Sequence, residues 1–118
     1  MQKNGIKEFI LYLRIEVDRE FPLQQLHVLI EIADNEGINT NDLTEKVVMQ
    51  KGPLSRNIKT LSTFGEIEPG GNVTVHGKDL IEVKRDTVER RLLTYWLTDK
   101  GRNVIEHIRK IMGDCCVV

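Results

Sequence analysis

The chain has 118 residues, 40% of them hydrophobic and 30% charged, with a formal net charge of −1. That composition fits one soluble globular domain and excludes a disordered tail. No apolar run approaches the roughly 18 residues of a membrane span, Met1-Gln2-Lys3-Asn4-Gly5 lacks the apolar core of a secretory signal, and adjacent Cys115 and Cys116 make no disulfide framework, so the expected compartment is a reducing cytoplasm.

Residues 6–19 are predicted to form a helix, because Ile6, Phe9, Ile10, Leu13 and Val17 recur at three- and four-residue steps. Leu11, Tyr12 and Ile15 widen its apolar surface, which suits a core helix or one that also packs across a dimer interface. Residues 22–36 form a second helix, opened by Pro22. Its expected buried stripe is Leu23, Leu26, Leu29, Ile30 and Ala33, and Gly37 supplies a left-handed cap. His27 is read as structural or solvent-facing, not as a metal ligand. A third helix follows Asn39-Thr40, either of which can cap it, and Asp42 suits its positive end. Leu43, Val47 and Val48 are read as pointing inward. After the turn Gln50-Lys51-Gly52, a fourth helix is expected to start at Pro53, to carry Leu54, Ile58 and Leu61, and to stop at Phe64-Gly65. Two short helices joined by a tight turn are the helix-turn-helix pattern.

Pro69, Gly70, Gly71 and Gly77 exclude a helix over residues 66–79. Val73-Thr74-Val75 reads as a short strand and His76-Gly77-Lys78 as a turn. The Gly-Gly pair lacks the spacing of a phosphate loop. Residues 80–85 and 91–97 read as the strands of a hairpin with its tip at 86–90. A last helix, 99–112, follows the N-cap Thr98 and carries Val104, Ile105, Ile108, Ile111 and Met112. The order α-α-α-α-β-β-α describes a single domain over residues 1–118, mostly α with a small antiparallel β wing: a winged helix-turn-helix.

Charge is unevenly spread along that order. Residues 1–40 hold 4 basic and 7 acidic groups, and residues 65–77 hold 2 acidic and no basic groups. Residues 41–64 hold 4 basic against 2 acidic groups, and 78–102 hold 7 against 5. Any nucleic-acid surface is therefore built from the last two segments. The fourth helix has no acidic residue from Pro53 to Phe64. Ser55, Arg56, Asn57, Lys59 and Thr60 fall away from its apolar side and have the donors that read base edges or bind phosphate. The hairpin offers Lys84, Arg85, Arg90 and Arg91 to a minor groove or the backbone, with Asp86 and Glu89 placed to hold the arginines. An ordinary charged hairpin is the plainer reading of the same residues. No His, Cys, Asp or Glu grouping has metal-ligand spacing and no nucleophile elbow is present. The chain is thus read as a non-enzyme without metal or cofactor.

The residues resemble the MarR family of winged-helix transcriptional regulators. The resemblance rests on Leu43-Thr44-x-x-Val47-x-Met49, on Gly52-Pro53-Leu54-Ser55-Arg56-x-Ile58-x-x-Leu61-x-x-x-Gly65, on Asp86-x-x-Glu89-Arg90-Arg91 and on Leu97-Thr98-Asp99-Lys100-Gly101. It implies a symmetric homodimer whose first and last helices interlock, with Ile6, Phe9, Ile10, Leu13, Ile108, Ile111 and Met112 as the dimerisation residues. It also implies a repressor on a roughly palindromic operator, with half-sites about one helical turn apart. A small-molecule effector is left unnamed. Three features depart from the family: Glu89 stands where Asp is usual, residues 68–79 are an insertion, and the chain ends soon after Met112. The insertion reads as an extra hairpin, a partner contact or a mobile loop. Cys115-Cys116-Val117-Val118 reads as a frayed terminus or a redox-sensitive pair. The alternative function is a winged-helix protein-interaction or assembly module of plasmid or phage type, binding DNA weakly and without sequence preference.

Overall fold

The computed structural model describes residues 5–113; Cys115 and Cys116 lie outside them. Helix α1 (Gly5–Tyr12) runs on into a π-helical turn, Leu13–Val17, and is followed by α2 (Leu23–Asp34). A two-residue strand β1 (Ile38–Asn39) precedes α3 (Thr40–Val47) and α4 (Lys51–Leu61). Then come β2 (Phe64–Ile67), β3 (Val73–His76), β4 (Ile81–Arg85), β5 (Leu93–Leu97) and α5 (Asp99–Gly113). Strands β1, β5 and β4 form one antiparallel sheet in that order, with Ile38 opposite Tyr95 and Val83 opposite Tyr95 on its other side. Strands β2 and β3 form a separate hairpin.

The winged-helix layout is the expected one, with β1 and the β2–β3 hairpin added. Phe64-Gly65 does not merely stop a helix; it opens a strand that pairs with Val73–His76. The link between the two strands turns through Gly70 and Gly71, both at positive φ, and closes with the Glu68 N–H donating to the Asn72 carbonyl at 2.8 Å.

The core is built around α2, whose Val28, Leu29 and Ile32 are fully buried against Leu43, Leu54 and Leu61 of the helix-turn-helix and against Leu80 and Ile81. The expected α2 stripe is rotated. Leu23 is 80% exposed, Gln25 is buried, and Leu26, Ile30 and Ala33 are half-buried. Gln25 is inside because its Oε1 accepts a 2.7 Å hydrogen bond from the Lys78 ammonium, so the polar group is satisfied. Val48 does not point inward either: it caps α3 in the left-handed region, at φ 52, and is 88% exposed.

Helix α4 begins at Lys51, ahead of Pro53. Proline is accommodated there because the first-turn N–H groups have no helical acceptor; the first helical bond is Leu54 N–H to Gln50 O at 3.0 Å. Helix α5 opens as the Thr98 cap predicts: the Gly101 N–H donates to Thr98 Oγ1 at 3.0 Å. Gly101 lies against the Leu80 carbonyl so closely that a Cβ there would overlap it.

Candidate nucleic-acid interface

Two helices and the wing bring the basic segments together. Asn39 caps α3, its Oδ1 accepting from the Asp42 N–H at 2.9 Å. The turn after α3 is held by the Met49 N–H, which donates to Thr44 O at 3.2 Å. Helix α4 then buries Leu54, Ile58 and Leu61 and leaves Ser55, Arg56 and Lys59 exposed on its outer side. From Val47 to Gly65 the chain carries no carboxylate, so the field over this face is positive and unopposed from its own segment.

Not every expected contact residue is free. The Asn57 amide donates to Met49 Sδ at 3.3 Å and is half-buried, which pins α4 to the turn. Thr60 Oγ1 donates back to Arg56 O at 3.2 Å. Lys59 Nζ sits 4.7 Å from the centre of the Phe64 ring, a cation–π contact that steadies its long stem.

The wing is braced from within. Arg85 Nη1 donates to Arg90 O at 3.1 Å across the tip, and the Asp86 and Leu92 N–H groups close the turn on Leu92 O and Glu89 O, each at 2.9 Å. Lys84 is 3.3 Å from Glu82 and lies over the Trp96 ring, so its charge is partly engaged by the wing itself. Among the described residues, no ion pair joins Asp86 or Glu89 to the wing arginines. Arg90 and Arg91 are exposed at the tip.

One grouping is not legible in the sequence. Thr40 and Asn41 at the start of α3, Lys51 at the start of α4 and Arg91 of the wing line a single cleft. The wing and the helix-turn-helix thus share one face. Two helix N-termini and two cations there suit an anionic backbone, with the Glu89 carboxylate on the same lining opposing them. The Tyr95 hydroxyl, 2.8 Å from Thr40 Oγ1, ties the wing sheet to α3. Glu36 fastens the other end of that sheet, accepting from the Leu97 N–H at 2.9 Å and from Arg102 at 2.8 Å. Burial alone would raise the Glu36 pKa, but these two donors outweigh it and hold the carboxyl below the usual range.

The expected dimerisation residues divide. Leu13 and Ile108 are buried in the core of the chain itself, at 4% and 8% exposure. Ile6 and Ile10 are exposed, at 62% and 46%; Phe9, Ile111 and Met112 are half-buried. Tyr12 stacks on His107 at 4.1 Å and so joins α1 to α5. Among the described residues, no group of three His, Cys, Asp or Glu side chains could hold a metal. None of the described helices is long and apolar enough to cross a membrane.

No protein-family model matches the chain, and no curated protein does. Solved structures do match. The S. aureus MepR–DNA complex superposes with a TM-score of 0.70 at 18% identity, over 93% of this chain and 77% of that one. The transcriptional repressor CouR bound to a 23-mer DNA duplex gives 0.64 at 21% identity, over 90% of this chain and 63% of that one. MarR gives 0.63 at 19% identity, over 93% and 71%. The fold is therefore the winged-helix fold of MarR and its structural relatives.

Proposed function

We propose that the chain is a sequence-specific regulator of transcription that binds double-stranded DNA as a homodimer in the cytoplasm. It acts by binding rather than by catalysis, and represses by occupying an operator and excluding polymerase. The observation that carries the reading is the acid-free outer face of α4, with Ser55, Arg56 and Lys59 exposed beside the Lys51–Arg91 cleft. That face fits a major groove with the wing on the flanking backbone. The structural likeness to MepR–DNA and to CouR on its duplex supports it. Twofold pairing through Ile6, Phe9 and Ile10 of α1 and Ile111 and Met112 of α5 would place two such faces on half-sites about one helical turn apart.

Selection of bound sequences from random duplex DNA, run with a mass measurement in solution, tests this. A palindromic motif and a dimer mass are expected. Binding without sequence preference that vanishes at moderate salt would instead favour the assembly-module reading, whose one supporting feature is the exposed β2–β3 hairpin.

A further inference from the structure

The C-terminal end of α4 is closed by the β2–β3 hairpin that follows it. A helix leaves its last four carbonyls without helical donors, and those of α4 are all engaged. Ile58 O accepts from the Ser62 N–H at 2.9 Å and Lys59 O from the Ser62 hydroxyl at 3.3 Å. Thr60 O and Leu61 O accept from the Lys78 and Leu80 N–H groups at 2.9 and 2.8 Å. Lys78 and Leu80 stand just past the second strand, so the hairpin leaves from and returns to the same helix end. Gly77, at φ 106, lies against the Ser62 carbonyl so closely that a Cβ would overlap it. The base of the hairpin is thus fixed to the helix that carries Arg56 and Lys59.

What the hairpin presents to that helix is a ring. Antiparallel pairing puts Phe64, Glu66, Thr74 and His76 on one face. Phe64 is half-buried and stacks with His76 at 5.6 Å, and Lys59 Nζ lies 4.7 Å from the Phe64 centre. The two hairpin carboxylates are taken up within the hairpin: Glu66 Oε2 is 3.2 Å from His76 Nε2, and Glu68 Oε1 accepts from Thr74 Oγ1 at 2.9 Å. Among the described residues, no carboxylate pairs with Lys59. The difference matters chemically. A carboxylate would hold the ammonium by cancelling its charge, whereas a π face attracts it and leaves the charge available to a phosphate.

We propose that Phe64 is a positioning residue for DNA binding: the hairpin holds its ring as a rest for Lys59, which therefore meets the duplex with its stem already set. A four-carbon stem that is held beforehand loses less rotamer freedom when its ammonium is engaged. The proposal rests on the reading of α4 as the groove-facing helix, and it gives the 68–79 insertion a part in recognition without a contact of its own. Residues 65–77 carry no Lys or Arg that could make one.

The probe is a fluorescent duplex of the sequence most enriched in the selection from random DNA. Phe64→Leu and Phe64→Met keep apolar bulk but no ring face, and each should weaken binding by about two- to tenfold, the scale of immobilising one long side chain. Phe64→Tyr restores the face and should bind as wild type. Because Phe64 acts through Lys59, Lys59→Ala with Phe64→Leu should bind no more weakly than Lys59→Ala alone. In the DNA-free protein, the ring current should shift the Lys59 methylene protons upfield in wild type and Phe64→Tyr, and the shift should vanish in Phe64→Leu. Unfolding midpoints in urea, read alongside, separate a loosened helix from a loosened side chain. A Phe64→Leu loss that adds in full to that of Lys59→Ala, or no loss in either ring-free variant while Lys59→Ala weakens binding, overturns the positioning role and leaves α4 in the groove. Lys59→Ala that binds as tightly as wild type overturns both the role and the placing of Lys59 on DNA.

Discussion

Arg56 and Lys59 stand on the same side of α4, and no carboxylate of their own helix neutralises them. Replacing either with Ala should cost on the order of 1–3 kcal/mol of operator binding where it reads a base, with relaxed preference at one position; equal gel-shift affinities would remove α4 from the groove. Asn57 belongs to a different class: its amide is committed to Met49, so its loss should act on the turn first. Periodicity marks which side of a helix a residue takes, but not whether its polar atoms are already engaged, and for that reason Asn57 and Thr60 are indistinguishable from Arg56 in the sequence. Backbone strain is equally silent there. Val48, β-branched, exposed and at φ 52, occupies a conformation that costs side chains about 1–2 kcal/mol. Val48→Gly should relieve it, offset in part by unfolded-chain entropy, for a net gain of about 0.5–1 kcal/mol in denaturant unfolding. Gly101→Ala should have the opposite sign, destabilising by about 1–3 kcal/mol as α5 is pushed off the Leu80 carbonyl.

At the scale of elements, the helices and the wing are legible because apolar spacing, Thr98 and the glycines at turns all agree. The β2–β3 hairpin is only half legible. Val73-Thr74-Val75 has the composition of a strand, but Phe64-Gly65-Glu66-Ile67 begins on residues that also end a helix, and neither strand buries a face to enforce alternation. The α2 stripe departs from its expected side because it rests on a tertiary contact, the Lys78–Gln25 bond, 53 residues apart in sequence. Two carboxylates hold elements together, and both have depressed pKa values: Asp18, chiefly through the Glu20 N–H at 3.1 Å with Lys78 adding to it, and Glu36 at the wing sheet. A depressed carboxyl contributes its stability in full above its unfolded value and loses it as pH falls through the lower folded one. Stability should therefore decline from about pH 4 downward, and Asp18→Asn with Glu36→Gln should flatten that decline in urea titrations run across the acid range.

For the whole molecule, binding strength should be set largely by phosphates, so affinity falls steeply with salt. Arg90→Ala with Arg91→Ala should make the log–log salt slope shallower by about one for each phosphate left without its cation. An unchanged slope would place the wing off the duplex. Lys78 provides the contrasting case. Its side chain is only 12% exposed, held between Asp18, Gln25 and Phe21, and its own N–H donates to Thr60 O at 2.9 Å, at the last turn of α4. A cation walled in this way releases no counterions. It acts instead as a mechanical joint between the Asp18–Phe21 segment, α2 and the last turn of α4, so that its removal should loosen the seating of α4 without removing a phosphate contact. Lys78→Met should consequently lower operator affinity while the salt slope keeps its wild-type value.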